Sequence, residues 1–263
     1  MNPVWQDIYL PASQDERPWE LFHENSKLGR YQQPLSDDQV LSRMATFYDS
    51  LPYEGYHRIQ LPEPFFPLQA PLGETMVKRN SVRTFRTSPV SFTHLAALLQ
   101  YSYGVTRSNE GTPFPRPFRT VPSGGALYPL EMYVHVKNVE GLPPGLYHFN
   151  PAQNSICCLL EGDQTAHIAQ AVVQPAVIKE SAIQVFLTAI FERSTFKYGD
   201  RGYRFVLIEA GHVAQNMNLV STSLGLGLLN IGGFFDREID DWLSIDGITH
   251  STVYMLALGT PDE

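Results

Sequence analysis

The sequence predicts an α+β fold in which hairpins and helices interleave around one sheet. Three stretches carry this reading. LEMYVHVKNV (130–139) and LYHFNP (146–151) alternate like strands and are joined by the turn GLPPG. AIQVFLTAIFE (182–192) is a nearly continuous apolar run with β-branched residues, the pattern of a buried central strand. Residues 203–224 place Val206, Ala210, Val213, Met217 and Val220 at three- and four-residue steps, one apolar stripe of a long helix. Strict βαβα alternation is absent, so a doubly wound parallel sheet is not expected.

The remaining elements follow in order. Residues 1–70 read as a lead segment packed on the core. Its first residues, MNPVWQDIYLPASQDERPW, are acidic, polar and proline-bearing, and lack the basic start and apolar stretch of a signal peptide. A short helical piece is expected around Ser36 to Ser50. Pro64 and Pro67 flank Phe65 and Phe66, which fits a chain laid over a surface in extended form. Residues 71–263 form the principal domain. Ser91 is the expected N-cap of the helix SFTHLAALLQYSYG, and Gly104 its stop. Residues 107–120 form a polar loop rich in Pro and Gly. Gly225 and Gly227 are expected to end the long helix, and STVYMLALG (251–259) is the last strand.

Composition narrows the function. With 263 residues, 43% of them hydrophobic, the chain is long enough for a packed core. Its net charge of −8 argues against general nucleic-acid binding, though not against a local basic pocket. Cys157 and Cys158 are adjacent, which disfavours a disulfide between them, and no CxxC spacing suggests zinc or redox chemistry. No apolar run is long enough to cross a membrane, so a cytoplasmic location is expected.

Four stretches carry candidate chemistry. Arg79, Ser81 and Arg83 alternate, so an extended backbone puts two guanidiniums and a hydroxyl on one face, able to hold a phosphate; a solvated basic turn is the plainer alternative. Pro122, Ser123, Gly124 and Gly125 allow close approach to a planar ligand, or simply form a tight turn into a strand. Lys197 and Tyr198 are potential acid/base groups if burial or the charges of Arg201 and Arg204 lower their pKa values; the alternative is a helix-capping loop. Gly232 and Gly233 can present bare backbone N–H groups. The run around them is not a dinucleotide fingerprint, because it follows a helix rather than a strand. His212, alone in the long helix, reads as a core or interface group. Neither HExxH nor GxSxG occurs.

The succession RNSVRTF, PSGGALYPLEMYV, GLPPGLYHFNP, FKYGDRGYRFVLIEAGHVAQN and IGGF resembles the SagB-type azoline dehydrogenases of the nitroreductase-like superfamily. PSGGALYP and KYGDRGYR are its more specific parts, and the resemblance covers nearly the whole chain. It implies a nitroreductase-like fold, a central, mostly antiparallel sheet flanked by helices, and FMN at a homodimer interface. Arg79, Ser81 and Arg83 would hold the phosphate and ribityl chain. Pro122, Ser123 and Gly124 would line the flavin from the partner subunit, and Gly232 and Gly233 would face its ring edge. Lys197 and Tyr198 match the pair needed for azoline oxidation. Two departures stand out. Asn230 replaces a proline common before the glycine pair, and the chain ends at TPDE, where many nitroreductases continue into a tail that wraps the partner. Helix packing is therefore expected to hold the dimer.

The expected activity is FMN-dependent oxidation of azolines to azoles in a peptide or small heterocyclic substrate, with dioxygen reoxidising the flavin and a cyclodehydratase as partner. The alternatives are an NAD(P)H-dependent nitro or quinone reductase and a non-catalytic flavin-binding subunit of a synthetase complex. Lys197 and Tyr198 favour the first, because a reductase fed by a nicotinamide needs no such base.

Overall fold

The computed structural model describes residues 18–30, 34–62, 65–112 and 116–262. The stretch 1–17 and Pro64, on which two of the expectations rest, lie outside them. The elements run α1 (Pro18–Asn25), α2 (Asp37–Met44), β1 (Arg58–Gln60), α3 (Leu72–Lys78), β2 (Phe85–Arg86), β3 (Val90–Ser91), α4 (Phe92–Tyr103), β4 (Val105–Arg107) and β5 (Phe118–Arg119). Then follow β6 (Leu130–Val136), β7 (Val139–Glu140), β8 (Gly145–Asn150), β9 (Ser155–Glu161), α5 (Thr165–Gln170), α6 (Pro175–Glu180) and β10 (Ile183–Ile190). The chain closes with α7 (Glu192–Tyr198), α8 (Asp200–Ser223), β11 (Gly227–Ile231), α9 (Asp236–Trp242) and β12 (His250–Pro261).

One eight-stranded sheet has the order β1-β9-β8-β6-β10-β12-β11, with β2 pairing β12. Its strand pairs are antiparallel, and β6 with β8 is the hairpin-type unit that the alternation predicts. The parallel pairing of β3 with β7 lies off this sheet. β10 sits at its centre. Val185 and Leu187 point into a core built with Leu95 and Leu99 of α4 and Val206, Val213 and Met217 of α8. Phe186 points the other way, among Ile168, Ile178 and Ile239 of α5, α6 and α9. Both faces are covered, which is why the strand reads as an unbroken apolar run. Each such side chain contributes roughly 1.5–3 kcal/mol by burial, so the sheet and its two helical layers set the frame.

The caps behave largely as the sequence suggests. Ser91 Oγ accepts the His94 N–H at 3.1 Å, and Gly104 closes α4 where an added Cβ would lie 2.4 Å from the Gln100 carbonyl oxygen. The five stripe residues of α8 are all buried. Two boundaries differ. The stretch 196–204 is not one loop: α7 ends at Tyr198, Gly199 breaks the chain at φ +55°, and α8 starts at Asp200. Gly225 (φ +70°) follows the end of α8, but Gly227 opens β11, pressed so closely on Val82 that a Cβ would sit 2.7 Å from Cγ1. The lead segment packs inward. Ser36 and Gln39 form a capping box on α2, Val40 and Met44 pack on Leu127 beside Phe196 and Tyr198, and β1 pairs β9. Cys157 is buried and Cys158 half-buried, both in β9 and both free thiols. Among the described residues no helix is long and apolar enough to cross a membrane.

Candidate active site

Lys197 and Tyr198 form the last turn of α7, at the end of the sheet where β10 finishes and β6 begins. α7 is fixed by a buried ion pair. Arg193 Nη1 donates to Glu131 Oε1 of β6 at 2.6 Å, both side chains being almost fully buried. Glu131 also accepts from Ser50 Oγ and the Leu51 N–H at 3.1 Å each, and its other oxygen lies 2.7 Å from His148 Nε2. Burial alone would raise its pKa; Arg193 and His148 outweigh that and hold the carboxyl well below the usual carboxylate range. The lead segment is thus bound into the support of α7. Arg201 and Arg204 do not turn toward Lys197 in the way the sequence suggests. Arg201 donates to the Ser26 carbonyl and Arg204 to Ser26 Oγ and the His23 carbonyl, so both hold the end of α1.

The loop 122–128 lies opposite this turn. An added Cβ on Gly125 would be 2.7 Å from Tyr198 Oη and 3.2 Å from Lys197 Nζ, and one on Gly124 would be 3.1 Å from Phe205. The loop is strained: Gly125, Ala126 and Tyr128 have φ of +65°, +54° and +46°. For the two that are not glycine this costs on the order of 1–3 kcal/mol each, so other contacts must impose it. Ser123 Oγ accepts the Tyr128 N–H at 2.9 Å, Tyr128 Oη accepts the Arg119 N–H at 2.9 Å, and Arg116 donates to the Leu127 carbonyl at 3.2 Å. Arg107, Arg119, Pro122, Ser123, Tyr128 and Lys197 are among the residues that line a cavity of 640 Å³. Tyr198 packs edge-on against Phe205, ring centroids 4.9 Å apart.

Glu209 lies behind the loop and escaped the sequence reading. It is 2% exposed, and Tyr103 Oη donates to it at 2.8 Å. Burial raises its pKa to about 7, while hydrogen bonds from Ser123 and Tyr103 and the charge of Arg119 act the other way. The available signal was a carboxylate on the inward stripe of α8, three residues after Val206 and one before Ala210.

The other predicted residues lie elsewhere. Arg79 follows α3, Val82 donates its N–H to the Leu228 carbonyl and faces inward, and Ser81 and Arg83 are exposed. Gly232 and Gly233 leave the far end of β11 with exposed backbone; a Cβ on Gly232 would meet nothing within the chain. Asn230 Oδ1 accepts from Asn218 Nδ2 at 3.2 Å, which ties β11 to α8 where a proline could not. Leu228 is level with Leu258 and Ile183, whereas α7 begins beyond Ile190. Seven residues of strand, roughly 23 Å, therefore separate the basic stretch from the Lys197 end. None of Arg79, Ser81, Arg83, Gly232 and Gly233 lines the cavity beside Lys197, although Ile231, level with Phe186, brings the glycine pair nearer that end than the basic stretch. His212 is exposed on α8.

The nitroreductase family profile matches residues 76–260, which contain all four candidate stretches. The chain belongs to the nitroreductase family. FMN is that family's cofactor, and the half-buried Arg79, the exposed Arg83, the Ser81 hydroxyl and the bare glycine backbone suit its phosphate and planar ring. The nitroreductase-like protein MJ1384 of Methanocaldococcus jannaschii is 42% identical over 174 residues, covering 66% of this chain and 84% of that protein. The microcin B17-processing protein McbC of Escherichia coli is 29% identical over 133 residues, 49% of each chain. The trifolitoxin-processing protein TfxB of Rhizobium leguminosarum bv. trifolii is 28% identical over 140 residues, 51% of this chain and 38% of TfxB. The chain thus spans half or less of these two relatives, which agree with the SagB-type resemblance of the motifs. Among solved structures, a nitroreductase-like protein of Anabaena variabilis superposes with a TM-score of 0.72 at 24% identity, over 92% of this chain and 47% of that one. A chain of the E. coli microcin synthetase McbBCD complex with truncated pro-MccB17 bound superposes with a TM-score of 0.60 at 19% identity, over 95% and 100%. Both likenesses concern the fold.

Proposed function

We propose that the chain is an FMN-dependent dehydrogenase that oxidises azolines to azoles in a modified peptide, working as a two-fold homodimer. The observation that carries this reading is the convergence of Lys197 Nζ and Tyr198 Oη on Gly125 at the wall of the 640 Å³ cavity. The separation of the two residue sets supports the dimer. The cavity of one protomer would face the flavin held by Arg79, Ser81, Arg83, Gly232 and Gly233 of the partner subunit. Pro122, Ser123 and Gly124 would then line that flavin from across the interface.

Making an azole removes one hydrogen from Cα and one from Cβ of the azoline ring. FMN held by those residues would supply the acceptor for one of them as hydride, with dioxygen as the terminal oxidant. Lys197 or Tyr198 takes the other as a proton and releases it to solvent. The processing relatives McbC and TfxB support a peptide substrate, and the likeness to a synthetase chain supports a cyclodehydratase partner.

A second reading, an NAD(P)H-dependent nitro or quinone reductase, is favoured by the identity with MJ1384. Anaerobic mixing separates the two. On the proposed reading an azoline peptide bleaches the flavin and NADPH does not. Bleaching by NADPH alone would replace it with the reductase.

A further inference from the structure

Two strained residues within three positions, Ala126 and Tyr128, need an external constraint, and a carboxyl lies behind this loop. Glu209 is buried in the middle of α8, and among the described residues no cation lies within ion-pair distance of it. Tyr103 of α4 donates to it at 2.8 Å, and Ser123 stands on its other side, near enough to favour the ionised form. Both are tied in turn to backbone, Ser123 to the loop itself and Tyr103 to the first residue of β6 beyond it. Ser123 Oγ accepts the Tyr128 N–H at 2.9 Å, and Tyr103 Oη accepts the Leu130 N–H at 3.3 Å. Arg119 of β5 stands 4.3 Å from the Tyr103 ring centroid and 4.8 Å from that of Tyr128, and donates to the Asp49 carbonyl at 2.7 Å. The guanidinium thus closes the far side of the group without pairing with the carboxyl. The loop so held is the one whose Gly125 meets Lys197 and Tyr198.

We propose that Glu209 is a positioning residue that, by fixing the Tyr103 hydroxyl, which in turn holds the Leu130 N–H while its ring packs edge-on against Tyr128, keeps the strained 123–128 turn against Lys197 and Tyr198. Its importance for turnover rests on the functional reading above; its hold on the loop does not. A buried carboxyl can serve both hydroxyls as an acceptor, or donate to Ser123 Oγ when protonated. A burial-raised pKa of about 7 means that it changes charge near neutral pH. An ionised, unpaired carboxylate in this setting draws in water, so the loop should loosen as pH rises.

The test is amide hydrogen exchange of the segment 123–130 in the whole protein, read against the intrinsic pH dependence of exchange. Glu209→Ala should speed exchange of the Tyr128 amide about tenfold or more. Glu209→Gln, close in shape and uncharged, should match the parent at pH 6, and above pH 7 the parent should exchange faster than Glu209→Gln. Titration with FMN provides the second readout: Glu209→Ala should bind it about tenfold more weakly, and Glu209→Gln should remove the difference between pH 6 and pH 8 that the parent shows. Equal protection in all three proteins at both pH values would overturn the proposal. A parent that binds no FMN but shows the expected exchange pattern would overturn the functional reading and leave this one standing.

Discussion

Gly125 and Tyr198 approach so closely that a methyl group on the glycine would lie 2.7 Å from the phenol oxygen. The contact joins a loop at residue 125 to a helix end at residue 198, and both conditions for glycine hold at once: φ is +65° and there is no room. Gly125→Ala should therefore destabilise the fold by about 1–3 kcal/mol and push Lys197 and Tyr198 out of line. Denaturant unfolding together with the anaerobic rate of flavin reduction checks this. A variant with unchanged stability and unchanged rate would mean that the pair tolerates displacement.

The FMN end predicts the opposite pattern. Gly232 has open space around it and Arg83 is exposed, so neither Gly232→Ala nor Arg83→Ala should alter folding. Both should weaken FMN binding. For Arg83 the loss of a charge-assisted contact is worth about 1.5–3 kcal/mol, or one to two decades of affinity. Titration of apo-protein by flavin fluorescence measures it, and unchanged affinity would move the phosphate site elsewhere.

Glu209 gives a stability profile with a definite sign. Its pKa is raised from 4.5 to about 7 on folding, so between those values the folded state holds a proton that the unfolded state has lost. Its contribution is fully present below about pH 4.5 and fades as pH rises to about 7. Glu209→Gln should gain on the parent across this window and then stay level. A tenfold change in proton affinity is worth about 1.4 kcal/mol, so the gain is a few kcal/mol at most. Urea unfolding at a series of pH values reads it; a constant difference would show that the carboxyl does not keep its proton on folding.

Much of this architecture is legible in the sequence, and most of the exceptions depend on contacts between distant segments. α4, α8, β6, β8 and β10 announce themselves because caps and periodicity are local. The two-sided burial of β10 is written in its unbroken apolar run. Glu209 was missed because its partners, Tyr103, Arg119 and Ser123, come from three other segments that only the fold assembles. The same holds for Glu131, Arg193 and Ser50. Arg201 and Arg204 misled for the converse reason: their nearness to Lys197 in sequence says nothing of α1, which lies some 180 residues earlier and takes their hydrogen bonds. The strand β11 was hidden by its glycines, which read as a helix end.

The dimer should be held by exposed helical surface. Leu207 and Ile208 of α8 are 42% and 54% exposed, and Met76 and Val77 of α3 are 58% and 87% exposed. Such apolar exposure on neighbouring helices suits a self-complementary two-fold contact. Light scattering should return a dimer for the parent. Ile208→Glu should shift it toward monomer and release FMN in parallel. A flavin-loaded monomer would contradict the shared site.

The last prediction concerns the proton. Hydride transfer from an azoline leaves a proton on the neighbouring carbon, and a positioned base within hydrogen-bond reach must take it. Lys197 Nζ and Tyr198 Oη both approach Gly125, and Lys197 and Gly125 line the cavity, so either could accept the proton while the other stabilises the charge. Both Lys197→Ala and Tyr198→Phe should retain FMN, because neither belongs to the set around Arg79 and Gly232. Both should reduce it with an azoline peptide about 10²–10⁴-fold more slowly, the usual scale for a missing acid/base group. If both variants reduce their flavin at the parent rate, the pair is structural, and the reductase reading becomes the better account of the same fold.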